Sequence, residues 1–507
     1  MPVQLRDIEE PRFPNQHPFE KLEELTRGKQ FDVVIIGCGG AGSAAAIEAA
    51  DLGASVLVLE KMQSVGGSTQ ESGGTIRTLN DRAGAIEHYT RLAEGTTPEE
   101  VIEAFVDGVL AIPDWIQDHG GELVQTSGTG EINRWVFPAR LLGSAFPHLP
   151  GADAIGARTH VKGRFPGRSR GADGLIDFLS ANLARLDVPV ILGARVKRLV
   201  QEFPERRVSG VELEGGAVIR ARRGVVLSCG GFAWDAELKR QYHGFSMPAL
   251  SPPNRNTGDG LRMALDVGAD LWHMTGTATT VAYQFAELDA AIHCRMPAYG
   301  FVMVDRLGRR YACETDIENH AAALTMLFQD SVSGEYLRSP SFVIFDETTR
   351  RAGVLAQTSS GEMRRYEWSP DNEVEIQRGW IHRAESLDEL YAHFQLPADT
   401  VGQTIADFNS YAESGGDPFG RNKEKIRPIV TPPFYGVPVY PALLNTQGGP
   451  RRNAKAEILR PDGSPIPGLF GAGECGSIWN RLYPGAGNVS ETIVSGRLAA
   501  RTAMATS

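Results

Sequence analysis

The chain of 507 residues is 42% hydrophobic and 22% charged, the balance of a globular protein with a real core, which excludes disorder as the dominant state. Its 57 glycines and 30 prolines follow no period, so a collagen-like fold is excluded; this much glycine implies many tight turns or close approaches of backbone to a ligand. A formal charge of −11 argues against nucleic acid or an anionic membrane surface as the main partner.

The first thirty residues read as an irregular arm. Phe31–Ile36 then reads as a buried parallel strand. It runs into Gly37-Cys38-Gly39-Gly40-Ala41-Gly42, an alanine-rich helix over 43–52 stopped by Gly53, and a second buried strand over 55–59 that closes on Glu60. This is the βαβ opening of a doubly wound sheet. Residues 81–125 carry helical spacing, and 126–170, rich in glycine, proline and arginine, read as a long irregular excursion. A helix over 174–186 leads to a strand over 188–192. Segments 196–202, 208–214 and 217–222 form a small antiparallel meander, and 224–228 is another buried strand, ending at Cys229-Gly230-Gly231. From 276 to 435 apolar periodicity weakens, which reads as an α+β cap or catalytic domain inserted into the first. The strand-turn pattern returns after 436, with a strand over 468–473 and a closing helix over 491–503. The expected fold class is therefore α/β, a Rossmann-like domain of residues 1–275 and 436–507 with an inserted cap of 276–435.

The five cysteines, Cys38, Cys229, Cys294, Cys313 and Cys475, include no CxxC pair, so no metal and no disulfide framework are expected. The amino terminus has no apolar signal core, and the longest apolar stretch, 33–47, is glycine-broken and short. A cytoplasmic protein without an integral membrane segment is the expectation.

The glycine loop carries the strongest chemistry. Gly37 permits the tight turn, Gly39 lets backbone approach a pyrophosphate, and Gly42 lets helix pack on strand. With Gly40 and Ala41 they open a helix whose amino terminus stabilises negative charge. Glu60, eighteen residues beyond Gly42, is placed to accept hydrogen bonds from the adenosine ribose. Two features favour FAD over NAD. Gly66-Gly67-Ser68-Thr69 and Ser72-Gly73-Gly74 form a second glycine-serine loop, and Gly471-Ala472-Gly473-Glu474-Cys475-Gly476 repeats the glycine spacing with only 31 residues left. The repeat is too late for an independent site and is read as completing the first.

These pieces resemble the flavoprotein group that contains soluble fumarate reductases, succinate dehydrogenase flavoprotein subunits and 3-ketosteroid dehydrogenases. The matching segments are 36–42, Glu60-Lys61, 66–69, 72–74, 229–231, Thr257-Gly258-Asp259-Gly260, 308–314 and 467–474. The resemblance implies a flavin domain with an inserted cap and substrate lying between them. Lys61, Val196, Cys229, Gly230, Asp259, Asn488 and Val489 complete the expected cofactor-binding set. Covalent relatives use a histidine in the loop written here 67–72; none is present, so non-covalent FAD is expected.

Fumarate-reductase-like members clamp a dicarboxylate with a histidine and arginines. Here 315–320 holds no arginine, and Asn445-Thr446-Gln447-Gly448-Gly449 lacks the histidine. The ketosteroid branch instead shows Gly-Gly-Pro and Tyr-Pro-Gly-x-Gly, matched by Gly448-Gly449-Pro450 and Tyr483-Pro484-Gly485-Ala486-Gly487. By that resemblance the Tyr483 hydroxyl and the Gly487 N–H donate to a ketone oxygen, and two fixed donors stabilise the developing enolate. The branch's base is a tyrosine; the spacing here gives Glu318, with His320 nearby and Tyr299 and Tyr311 as further candidates. The implied activity is an FAD-dependent dehydrogenase that desaturates a cyclic ketone, steroid or smaller ring, next to its carbonyl. The partners would be that small-molecule ketone and an external electron acceptor (quinone, oxygen or a redox protein). Alternatives are an enoate reductase and a non-catalytic electron-transfer subunit. Trp115, Trp135, Phe137, Phe146, Trp234 and Tyr283 are candidates for an apolar pocket wall. Arg134, Arg140, Arg158, Lys162, Arg164, Arg168 and Arg170 either bind a carboxylate or form a solvated loop; a carboxylated cyclic ketone would use such an arginine, a neutral steroid would not.

Overall fold

The computed structural model describes residues 3–6, 12–126, 131–132, 139–140, 142–163, 171–316, 318, 320–358 and 361–506. Its central sheet has nine strands. Phe31–Ile36 lies between Val56–Glu60 and Val218–Leu227, parallel to both, and Val190–Leu192 extends the sheet beyond Val56–Glu60. The middle strands are buried on both faces, which is why they read as unbroken β-branched and leucine runs rather than alternating ones. Each such side chain taken from water contributes about 1.5–3 kcal/mol.

The expected arm is partly ordered. Gln16–Pro18 adds a parallel strand beside Val190–Leu192, and Leu22–Thr26 is a short helix. The segments expected as 217–222 and 224–228 are one strand, Val218–Leu227. Its first half pairs antiparallel with Arg207–Leu213 and its second half parallel with Phe31–Ile36 and Pro465–Gly471. Gly224 sits where the partner changes; a Cβ there would stand 2.5 Å from the Gly468 carbonyl oxygen.

The closing helix, Gly487–Ala505, starts four residues earlier than expected, so Asn488 and Val489 lie in its first turn. It packs on the glycine-loop helix, Gly40–Asp51, at very close range. A Cβ on Gly496 would fall 2.3 Å from the Ala41 carbonyl oxygen.

Strands from Thr277–Tyr283 to Phe434–Thr446 form a second, seven-stranded sheet. The expected boundary at 435/436 falls inside Phe434–Thr446, which pairs with Ser341–Asp346 along its first half and with Thr277–Tyr283 along its second. The supposed irregular excursion contains a strand, Ile155–Val161, held antiparallel between Thr75–Leu79 and Leu123–Gln125. Its centre, Arg158-Thr159-His160, is polar, so its pattern resembles a loop until its partners are known. No helix among the described residues is long and apolar enough to cross a membrane.

Candidate active site

A crevice opens at the carboxyl ends of the parallel strands, where open α/β sheets bind ligands. Gly37, Gly39, Gly40 and Ala41 line it, together with Glu60, Lys61, Gly67, Ser68, Thr69, Val196, Cys229, Gly230, Asp259, Gly473 and Glu474. The two glycine loops meet there: Gly39 bridges Gly66, the Gly66 N–H donates to the Cys38 carbonyl at 2.8 Å, and the Gly40 N–H donates to Thr69 Oγ1 at 3.1 Å. Glu60 accepts the N–H groups of Cys38 at 2.7 Å and Met62 at 2.8 Å, and burial still pushes its carboxyl up. Lys61 and Arg195 both reach Asp259, at 3.1 and 2.9 Å.

The glycines divide by what requires them. At Gly37 and Gly42 the protein itself forbids a side chain: an added Cβ would lie 2.6 Å from the Ser228 carbonyl and 1.9 Å from the Gly37 carbonyl. Gly42 therefore serves packing and does not line the crevice. Gly39 has ordinary extended backbone (φ −83°), and an added Cβ would meet nothing nearer than 3.7 Å. What keeps Gly39 bare is the space in front of it. That open cradle at a helix amino terminus fits the pyrophosphate of FAD. Glu474 fits an apolar or hydrogen-bonding neighbour, since burial and the charge of Glu491 push its carboxyl up to about 8.

A second cavity, of about 410 Å³, shares Ser68, Thr69, Glu474 and Thr492 with the crevice. Ser72, Gly73, Asn488 and Val489 line it rather than the crevice; Gly74 lines neither, and its N–H donates to Ser72 Oγ at 2.9 Å. Tyr483 lines it too, 7% exposed. Its hydroxyl oxygen accepts the Asn488 N–H of the closing helix at 3.1 Å. Burial pushes the hydroxyl up to about 12, so it stays protonated and its O–H remains a donor. Ala486, in the left-handed region, turns the chain from Tyr483 into the helix. Gly487 itself does not line the cavity; a Cβ there would strike Pro484 and the Trp479 indole at 2.9 Å.

His320 lines the cavity and stands edge-on to Tyr483, ring centroids 4.8 Å apart. Behind it, Glu318 accepts His320 Nδ1–H at 2.7 Å and the His320 backbone N–H at 2.6 Å. Burial pushes the Glu318 carboxyl up, but the His320 interactions and the Arg158 charge outweigh it and hold it below its ordinary range.

One arginine completes the wall and a second stands behind it. Arg158, from the unexpected strand, lines the cavity at 5% exposure, and it is directly cross-strand from Arg77, also buried. Arg77 donates to the carbonyls of Gly156 at 3.2 Å and Gly485 at 3.4 Å, and burial beside Arg158 pushes it down to about 9. The reading of Arg158 as part of a solvated loop is thus corrected, and Arg77 was missed. The only signal for either is strand register, which the sequence does not display.

Other expectations are corrected. Tyr299 does not line the cavity; its carbonyl accepts Arg421 Nη2 at 2.7 Å within a buried cluster. Tyr311 bonds Ser341 at 2.7 Å. Trp115 and Phe146 belong to the main core, Tyr283 to the second sheet's core with its hydroxyl on Leu355, and Trp234 donates to Ser251. Lys162 pairs on the surface with Glu122. Arg134, Trp135, Phe137, Arg164, Arg168, Arg170 and the Arg140 side chain lie outside the described residues.

A family model described as FAD binding domain matches residues 32–490. The 4-oxocyclohexanecarboxylate 2-dehydrogenase of Sinomonas cyclohexanicum is 29% identical, over 93% of this chain and 92% of the relative. The 3-oxosteroid 1-dehydrogenase of Mycobacterium tuberculosis is 28% identical, over 93% of this chain and 98% of its own. Among solved structures, the 3-ketosteroid delta1-dehydrogenase of Sterolibacterium denitrificans, in complex with 1,4-androstadiene-3,17-dione, aligns with a TM-score of 0.78. It is 22% identical over 94% of this chain and 99% of that one, a likeness of fold.

Proposed function

The chain belongs to the FAD binding domain family and is an FAD-dependent oxidoreductase, and from that premise we propose that it desaturates a cyclic ketone next to its carbonyl. Both relatives named above are called dehydrogenases of oxo-substituted rings, which supports this reading. When bound, FAD supplies a two-electron hydride acceptor. Gly39, Gly40 and Ala41 would hold its pyrophosphate and Glu60 its ribose, with Ser68, Thr69, Glu474, Asn488 and Val489 available to the flavin end, all without a covalent bond. A division into a cofactor part and an inserted cap that holds the second sheet, with Phe434–Thr446 kept whole, belongs to the same proposal.

The chain's own groups supply the rest. Tyr483 donates its O–H to the ketone oxygen, a bond that strengthens as enolate charge develops there, while Gly487, outside the cavity lining, takes no part. The α-carbon gives its proton to His320 Nε2, while the β-carbon gives up a hydride, so the substrate loses two electrons and gains a C=C bond. Glu318 holds Nδ1–H, fixing the tautomer in which Nε2 is the acceptor. An external acceptor, a quinone, oxygen or a redox protein, then takes the electrons.

The observation that carries this reading is the Tyr483 hydroxyl, anchored by Asn488 N–H in a cavity that shares a wall with the cofactor crevice, with the His320–Glu318 pair against its ring. Anaerobic photometry tests it. Saturated cyclic ketones should bleach the flavin, and Tyr483→Phe should slow bleaching about 10²–10³-fold with FAD retained. Unchanged rates in that variant would remove Tyr483 from the chemistry. Reoxidation of reduced flavin by an enoate, with no bleaching by any ketone, would replace the reading by enoate reduction.

A further inference from the structure

The substrate cavity holds a buried arginine, Arg158, that feels the charge of Glu318 but has hydrogen-bond donors that the described residues leave unmatched. Arg158 Nε and Nη2 are fully buried and make no hydrogen bond there, and no ion pair to Arg158 forms among the described residues. Nη2 lies against Gly485, where an added Cβ would approach it to 2.6 Å, so the guanidinium sits under the Tyr483-Pro484-Gly485 turn. The nearby carboxylate, Glu318, is committed through its oxygens to His320. The cross-strand neighbour is another arginine, which adds repulsion rather than relief. A buried guanidinium with unmatched donors opposes folding, whereas a carboxylate held in the cavity against Arg158 adds opposite charge to it.

Resting on the cyclic-ketone reading, we propose that Arg158 binds a carboxylate on the substrate, and that the substrate is a small ring bearing both a ketone and an anionic carboxyl group. The carbonyl end faces Tyr483 and the carboxylate end faces Arg158, within one cavity. A neutral polycyclic ketone would leave the guanidinium buried and unpaired, so charge rather than ring count sets specificity here.

The test uses the FAD-loaded enzyme and a ligand without the ketone. Calorimetry should find cyclohexanecarboxylate bound at least 30-fold more tightly than its methyl ester by the unaltered protein. Arg158→Met should abolish that preference without weakening neutral cyclohexanone, should not lower Tm, and Arg158→Lys should restore part of the preference. Equal affinity for acid and ester in the unaltered protein would overturn the proposal and requires no variant. A lower Tm in Arg158→Met with the acid preference intact would make Arg158 structural and overturn it as well. Anaerobic bleaching by 4-oxocyclohexanecarboxylate separates the two layers. Acid preference without bleaching overturns the ketone reading and leaves Arg158 as a carboxylate site; bleaching by ester and acid alike does the reverse.

Discussion

In the cofactor crevice several polar groups are answered within the protein: Glu60 takes two N–H groups, Thr69 takes the Gly40 N–H, and Asp259 takes Lys61 and Arg195. In the adjoining cavity the walls are side chains from distant segments, and they are left with capacity to spare. Tyr483 keeps an O–H to donate, and Arg158 keeps buried N–H groups. On the proposed reading the crevice would hold its cofactor by shape and by the helix amino terminus. On the same reading the cavity, with the Tyr483 O–H free to donate, would suit a guest that develops charge during the reaction.

The sharpest break of this contrast is at His320. His320→Gln should slow flavin bleaching by about 10²–10⁴-fold, measured by anaerobic stopped flow, with FAD content and Tm unchanged; a loss of FAD instead would merge the two regions. The glycines come next. Gly42→Ala should cost about 1–3 kcal/mol of stability by overpacking, read from urea unfolding. Gly39→Ala should change stability by less than about 0.5 kcal/mol yet lower FAD content, because only the cofactor needs that space. If Gly39→Ala holds FAD normally, the cradle has been assigned to the wrong occupant.

Smaller effects separate positioning from chemistry. Glu318→Gln keeps the shape and loses the charge that orients His320, and should slow bleaching by about tenfold; substrate binding, read by titration, should not follow. A separate effect, on stability and not on rate, concerns Glu474, whose carboxyl is raised to about 8 in the folded protein against 4.5 in the unfolded chain. Between those values the folded state binds the extra proton, so stability falls as pH rises through that window. The Tm of FAD-depleted protein should therefore decline from pH 5 to 8, and Glu474→Gln should flatten that decline.

Much of the crevice was legible because its requirements are local. A tight turn, a bare approach and a helix start each name a residue type at a fixed spacing, and Gly37, Gly39, Gly42 and Glu60 answer in 24 consecutive positions. Tyr483 was legible through the resemblance of its Tyr-Pro-Gly-x-Gly turn to the ketosteroid branch. The base could only be narrowed to a few residues, because which of Glu318, His320 and Tyr299 faces the substrate depends on how the cap sheet seats against the closing helix. Arg158 was the hardest. A polar residue in a glycine-rich stretch looks solvated, and only pairing of Ile155–Val161 between two other strands turns it inward.

The amino-acid order by itself determined the doubly wound opening, because it is written in contacts a few residues apart, and its glycine loops and tyrosine turn carried the resemblance that gave the cofactor type. Tertiary structure alone decided which charges share the cavity. Residues 77, 158, 318, 320 and 483 meet through strand register and helix packing over hundreds of positions, and the cost of burying a charge becomes visible only when its neighbours are known.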